Sequence, residues 1–430
     1  MLGSRFPPGA STRVLAGALL LALGACGSRP ESPAGAAGGP ASGASDPGPI
    51  RQIPTPAGAD SSGPRLAAGP DGTTVLSWIE PIGDAFDNQL KFARWTGSAW
   101  SPARLVASGG DWYVNASDVP GVQPIAAGLW AAHWRVTSAD ERAYDVMTSV
   151  SSDAGATWSE PRLLNDDGTA TEHGFVSLFD WDGDVGAVWL DGRELAGGEG
   201  ADANGAPLGT TLRAARLTAE GAVAEQRVLD ALVCDCCTTS VAPLASGAVL
   251  VYRDRTQDEI RDIVVRRRVE GQWSEPAQAG QDHWRIEGCP INGPAVAGLG
   301  TSVAVAWFTA ADERARVRLA FSTDGAATFA PALEVDGDRP IGHVGVALAD
   351  ERTAFVTWWA RGSGNGAVLA VRRVSASGEL GPFTKVATSP SIHPDDVPQL
   401  TVAGGALLWA WTDSSDPNGV RTAIADVGGL

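Results

Sequence analysis

The chain has 430 residues, 50 acidic against 32 basic, for a formal net charge of −18. That charge excludes nucleic acid and anionic membrane surfaces as general partners. The length exceeds that of a usual single domain unless the fold is built from repeats.

The N-terminus reads as an export signal. Arg5 and Arg13 precede the apolar run from Val14 to Ala25, and Cys26 follows. Those 12 apolar residues are too few to cross a bilayer, which takes about 20. The charged start, short apolar run and small residues are those of a secretion signal. "LGAC" (Leu23 to Cys26) resembles the lipobox of bacterial lipoproteins. The resemblance implies cleavage before Cys26 and its lipidation, and Gly27 in place of Asp implies sorting to the outer membrane. Residues 27–49 are Gly, Pro, Ala and Ser with little apolar bulk, the composition of a disordered tether. The expected organisation is a signal peptide over 1–25, a lipidated cysteine and tether over 26–49, and one domain over 50–430. Export into an oxidising compartment makes disulfides the default state of the mature cysteines.

From residue 50 onward one pattern recurs: a β-rich run ending in an aromatic, then polar residues. The aromatics are Trp78, Trp134, Trp189, Tyr252, Trp307, Trp358 and Trp411, spaced by 56, 55, 63, 55, 51 and 53 residues. A period near 50 without helical periodicity, with frequent turn signals, predicts an all-β propeller of four-stranded antiparallel blades. Seven blades are expected, or six if one copy is a decoration. The aromatic is assigned to packing between blades. The seventh copy holds only three strands before the chain ends, so "IRQIPTP" (Ile50 to Pro56) is expected to supply the fourth and close the ring.

Between third and fourth strands stands "SSDAGATW" (Ser151 to Trp158), with a second copy, "STDGAATF" (Ser322 to Phe329), and weaker forms at Gly97 to Pro102 and Glu270 to Pro276. These resemble the Asp box of the sialidase, or BNR-repeat, superfamily. Their side-chain oxygens are expected to bind backbone N–H groups of a tight turn, with no chemical role. "DWYVNASD", "TEHGFVSL", "VWLDGRE", "VCDCCTT" and "GCPINGP" further resemble a group of bacterial sialidase-like lipoproteins.

In a propeller, the loops from an outer strand to the next inner strand and those from second to third strand open on the same face. The unusual residues concentrate in these loops. They include Trp112 and Asn115, Glu172 and His173, Cys234, Cys236 and Cys237, His283, Cys289 and Asn292, His343, and His393, Asp395 and Asp396. Asp191, Arg193 and Glu194, Arg253, Asp254 and Arg255, and Arg361 join them. The sialidase resemblance implies an arginine clamp for a carboxylate, with Arg193, Arg253, Arg255 and Arg361 as candidates. It also implies paired carboxylates, with Asp191, Asp254, Glu172 and Glu194 as catalytic candidates, and a Tyr–Glu nucleophile pair. The family's F-R-I-P motif is absent, Tyr252 takes the blade-packing position, and Tyr113 and Tyr144 have no obvious carboxylate partner in sequence.

Three functional readings follow. The first is a binding module for a glycan or another polar or anionic ligand, held by Trp112, Asn115, His173, Arg193, Arg253, Arg255 and Asn292. It takes no cofactor and acts as a lipid-anchored monomer. The second is a sialidase-type glycosidase. The third is a copper or zinc or redox site of Cys234, Cys236, Cys237, Cys289 and His173. Against the third stands a pair of disulfides. Cys289 lies in the equivalent loop of the next blade, so its bridge to Cys234 or Cys236 would clasp two blades. The remaining pair is then either vicinal, Cys236–Cys237, or one that flanks Asp235.

Overall fold

The computed structural model describes residues 49–430 apart from 84–86, 139–142, 199, 202–204, 206, 391–396 and 416. The signal, Cys26 and the tether up to residue 48 lie outside the described residues, as do His393, Asp395 and Asp396.

The strands form seven separate antiparallel sheets, the blades of a seven-bladed β-propeller. Among the described residues there is no α-helix, only three short 3-10 turns. Blade 3 shows the plan: His173–Trp181, Asp184–Asp191, Thr211–Leu217 and Val223–Asp230, hydrogen-bonded in chain order from the axis outward. Second strands such as "DVGAVWLD" are buried along almost their whole length. A strand covered on both faces by neighbouring blades reads as a continuous apolar run rather than an alternating one.

The ring closes as the seventh copy requires. Arg51–Ile53 pairs antiparallel with Gly419–Asp426, setting Ile53 opposite Thr422, so both ends of the domain share one blade. Six blades are thereby excluded. Blade 4 departs from the plan. Its third strand, Ile263–Val269, pairs with both Gln272–Trp273 and Ala277–Gly280, so the outer edge is split at the weak turn copy.

The seven repeat aromatics are at most 3% exposed, as packing between blades demands. Their polar atoms do more than sequence suggests. Tyr252 Oη donates to Asp230, Trp307 Nε1 to Asp282 and Trp358 Nε1 to Asp336, at 2.6, 2.6 and 2.8 Å. Each acid lies in or just beyond the outer strand of the preceding blade. A buried aromatic with a polar edge needs such a partner, and here the partner ties blade to blade.

On the face opposite the outer-to-inner loops, the two box turns close identically. Asp153 accepts from Thr157 N and Oγ1 at 2.8 and 2.6 Å, and Asp324 from Thr328 N and Oγ1 at 3.0 and 2.6 Å. Ser151 Oγ accepts from Gly155 N, and Ser322 Oγ from Ala326 N. The fifth residue of each turn is left-handed, φ 77° at Gly155 and 64° at Ala326. Glycine takes that conformation freely, whereas alanine holds it at a cost.

Candidate functional site

Three loops of the other face meet over blade 3: residues 164–172 leading into it, the described ends 192–198 and 207–210 of the connection between its second and third strands, and 231–239 leading into blade 4. Between them, with Ala143 from blade 2, lies a cavity of about 310 Å³. Ala170, Thr171, Glu172, Gly192, Leu195, Thr210 and Asp235 complete its lining. Gly192 makes the close approach possible. Its N–H donates to the Glu172 carbonyl at 2.9 Å, and a Cβ there would meet the same oxygen at 2.9 Å.

Glu172 is held from behind. Tyr144 Oη donates to Glu172 Oε2 at 3.4 Å. Tyr144 stacks on Tyr113, with centroids 4.3 Å apart and planes at 15°. The Arg135 guanidinium faces both rings at 5.0 and 5.1 Å and pairs with buried Asp118 at 3.2 Å. Gly174 opens room for this group, since a Cβ would collide with Asp118 Oδ2. Enclosure in the cleft raises the pKa of Glu172, aided by the charges of Asp235 and Asp118 and opposed by the Tyr144 hydroxyl and Arg135. Burial, with the Asp118 and Glu172 carboxylates, pushes the Tyr144 phenol up. The carboxylate partner of Tyr144, not evident in sequence, is therefore Glu172, 28 residues away.

Of the four catalytic candidates, only Glu172 lines this cavity. Asp191 is fully buried and accepts from Trp189 Nε1 and from Arg193 Nε and Nη2, each at 2.8 Å. Glu194 pairs with Arg213 at 3.3 Å, away from the lining. Asp254 stands apart, its pKa raised to about 6 by burial and then by Asp230.

None of the seven expected binding residues lines the cavity. Trp112 is 5% exposed and stacked on Trp134 at 5.5 Å, so it is core rather than a platform. Asn115 Oδ1 accepts from Ser117 N and Oγ, closing its own turn. Buried Asn292 accepts from His343 N through Oδ1 and donates to the Pro290 carbonyl. Arg193 is occupied by Asp191, Asp166 and Asp167, and Arg255 by Glu259. Arg253 is buried and donates to the carbonyls of Asn292, Arg261 and Phe308. Arg361 is exposed at the end of its strand. The arginine clamp is thus not assembled: Arg193, Arg253 and Arg255 are spent on structural acceptors, and Arg361 stands exposed outside the cavity lining.

His173 is fully buried. Its Nδ1 donates to the Tyr144 carbonyl at 3.1 Å and its Nε2 faces Asp167 at 3.2 Å. It groups with Asp167 and Asp191, not with the cysteines, so the five residues of the metal reading do not form one ligand set. Cys236 and Cys289 are joined in a disulfide, which clasps the loops leading into blades 4 and 5. The bridge is thus the expected Cys236 alternative, and the pair it leaves, Cys234 and Cys237, spans Asp235 rather than being vicinal; that pair is buried and stands as thiols, not as the expected second disulfide.

Two residues of the site escaped the sequence reading. Asp235 looked like a spacer between cysteines, and Tyr144 looked partnerless. A signal for Asp235 existed in its place on a mouth-facing loop. None existed for Tyr144, whose partner comes from another blade.

No protein-family model matches the chain, and no curated protein matches it in sequence. Solved structures match in fold. An ulvan lyase bound to -[GlcA(1-4)Rha3S]- superposes with a TM-score of 0.54 at 12% identity, over 88% of this chain and 96% of that one. A Penicillium chrysogenum α-L-arabinanase complexed with arabinobiose gives 0.45 at 13% identity, over 86% and 94%. The Hadza microbial sialidase Hz136 gives 0.44 at 15% identity over 69% of this chain, which spans 63% of that sialidase. At these identities the likeness is one of fold alone.

Proposed function

We propose that the protein binds a glycan, or a similar hydroxyl-rich ligand, in the cavity between blades 2, 3 and 4. The observation that carries this is the meeting of two carboxyl side chains, Glu172 and Asp235, in one cleft beside Thr171 and Thr210. Carboxylates and hydroxyls are acceptors and donors for sugar hydroxyls, and about 300 Å³ is the lower range of small-ligand sites. The acidic lining, with the nearby arginines already paired, favours a neutral ligand over the anionic one that a sialidase-type clamp would take. The reading calls on no cofactor.

In the same reading the domain stands on a tether from a lipidated Cys26, at the outer membrane and as a monomer. Replacing Cys26 with Ser would then release it into the soluble fraction. Retention in the membrane would refute the anchor.

Titration calorimetry with neutral and acidic oligosaccharides tests the ligand class. Saturable binding of a neutral oligosaccharide, weakened at least about tenfold by Asp235→Ala, is expected. Binding restricted to acidic glycans, or unaffected by Asp235→Ala and Glu172→Ala, would overturn it.

The Tyr144–Glu172 contact favours a second reading, hydrolysis. Glu172, whose pKa is raised, would serve as the acid, with Asp235 the second carboxylate. Turnover would fall as pH rises through the raised Glu172 pKa, because only the protonated form donates. Glu172→Gln would lower turnover by about 10²–10⁴. Absence of turnover on a panel of aryl glycosides leaves binding as the activity.

A further inference from the structure

The sequence Cys234-Asp235-Cys236-Cys237 contains a C-x-x-C pair, Cys234 and Cys237, with a third cysteine inside it. The structure separates their states. Cys236 is already disulfide-bonded to Cys289, while Cys234 and Cys237 are buried thiols. Cys234 Sγ stands between its two neighbours, against Cys237 Sγ on one side and 3.8 Å from Cys236 Sγ on the other. A thiol and a disulfide sulfur therefore stand in contact, with a second thiol behind.

The surroundings favour negative charge on sulfur. Arg261 Nη1 donates to Cys234 Sγ at 3.4 Å. Buried Arg253 makes its three hydrogen bonds to carbonyl oxygens, and no carboxylate lies within ion-pair distance among the described residues. A buried guanidinium without an anion favours ionisation of whatever acid is near, and its field reaches both thiols. Arg253 opposes a metal ion at these sulfurs, whereas Arg261 is itself paired with Glu259 and Asp235.

We propose that the four mature cysteines form an internal thiol–disulfide relay that moves the disulfide between the surface and the interior. In the first step the Cys234 thiolate attacks Cys236 Sγ. The Cys234–Cys236 bond forms, the Cys236–Cys289 bond breaks, and Cys289 leaves as a thiolate that takes a proton from water. In the second step Cys237, having lost its proton, attacks Cys234 Sγ. The Cys234–Cys237 bond forms and Cys236 leaves as a thiolate. One disulfide exists before and after, so no oxidant or reductant is consumed. The buried Cys234–Cys237 disulfide then coexists with an open blade clasp and a free, exposed Cys289.

Ionisation supports the order of attack. Burial opposes it at Cys234, but the neighbouring Cys237, the Cys236 backbone N–H, Arg253 and Arg261 together bring that thiol below its ordinary range. Burial pushes Cys237 up. A nucleophile with a pKa near ambient pH is the most effective attacking thiol.

The test uses the full chain purified without reductant. N-ethylmaleimide is added to the folded protein, and Cys289 modification is followed by peptide mass spectrometry below and above pH 7. Modification should proceed in the wild type and speed up as pH rises, because the attacking form of Cys234 is the thiolate. Cys234→Ser should slow it by about 100-fold or more, since the attacking sulfur is gone. Cys237→Ala should leave Cys289 reactive and accumulate the Cys234–Cys236 crosslink. If Cys234→Ser does not fold, Arg261→Gln should slow modification and move its midpoint to higher pH. Three results would overturn the relay: no Cys289 modification in the folded wild type, an unchanged rate in Cys234→Ser, or stoichiometric metal holding the thiols.

Discussion

The two faces of the propeller are built by different rules. On one face, each box turn is closed mainly by its own side chains, with a backbone bond out to the neighbouring hairpin, Ala154 N to the Gly128 carbonyl and Gly325 N to the Thr301 carbonyl. Within eight residues Ser151, Asp153, Gly155 and Thr157 donate and accept among themselves. On the other, nearly every contact that shapes the site joins distant residues. Tyr144 reaches Glu172 across 28 positions, Arg253 reaches the Phe308 carbonyl across 55, and Cys236 reaches Cys289 across 53. The first face is a set of clips whose closing bonds are local. The second is a network in which Glu172, Arg253 and the cysteine clasp depend on a neighbouring blade.

That contrast predicts unequal sensitivity. The largest effect is expected at Arg253. Arg253→Leu strips three buried carbonyls of their donor, and a loss of about 3–5 kcal/mol should appear in the chemical denaturation midpoint. Next comes Gly174→Ala, whose methyl would collide with Asp118 Oδ2 and press the Tyr144 ring. It should cost about 1–3 kcal/mol by overpacking and weaken ligand binding through Tyr144. On the clip face the effects are smaller. Ala326→Gly relieves a left-handed alanine at φ 64° and should gain up to about 1 kcal/mol. If it destabilises instead, the turn is not the local unit described.

The smallest effect is that of pH on the clips. Hydrogen bonds from Thr157 and Thr328 hold Asp153 and Asp324 down to about 2. A depressed carboxyl contributes stability that is present above its unfolded value and lost as pH falls through the folded one. Acid should therefore loosen these turns between the ordinary Asp range and about pH 2. Asp153→Asn should flatten that part of the acid limb of a thermal melt. Both groups are solvent-exposed, so the change is small.

The same contrast explains what the sequence made legible. The blade count followed from Trp78 to Trp411 because a repeat writes itself at every period. The closing strand at Arg51–Ile53 followed because one copy was a strand short. The box turns were legible because donor and acceptor lie within one short window. The functional loops were assigned to one face by topology alone, and the cavity lies on that face. Individual roles were not legible. Arg193 and Arg253 read as ligand-binding because charge was visible and their acceptors, Asp191 and the distant carbonyls, were not. Trp112 read as a platform because its stacking partner Trp134 belongs to the packing repeat. Tyr144 read as partnerless and Asp235 as a spacer between cysteines because their neighbours in space are contributed by other loops.

The central claim is that the cavity holding Glu172 and Asp235 is the ligand site of this face. The most direct measurement is titration calorimetry of the folded wild type, Asp235→Ala and Glu172→Ala against one neutral oligosaccharide that binds. The account predicts saturable wild-type binding and at least about a tenfold loss in each variant, with unchanged thermal melts. Equal affinity in all three proteins would contradict it.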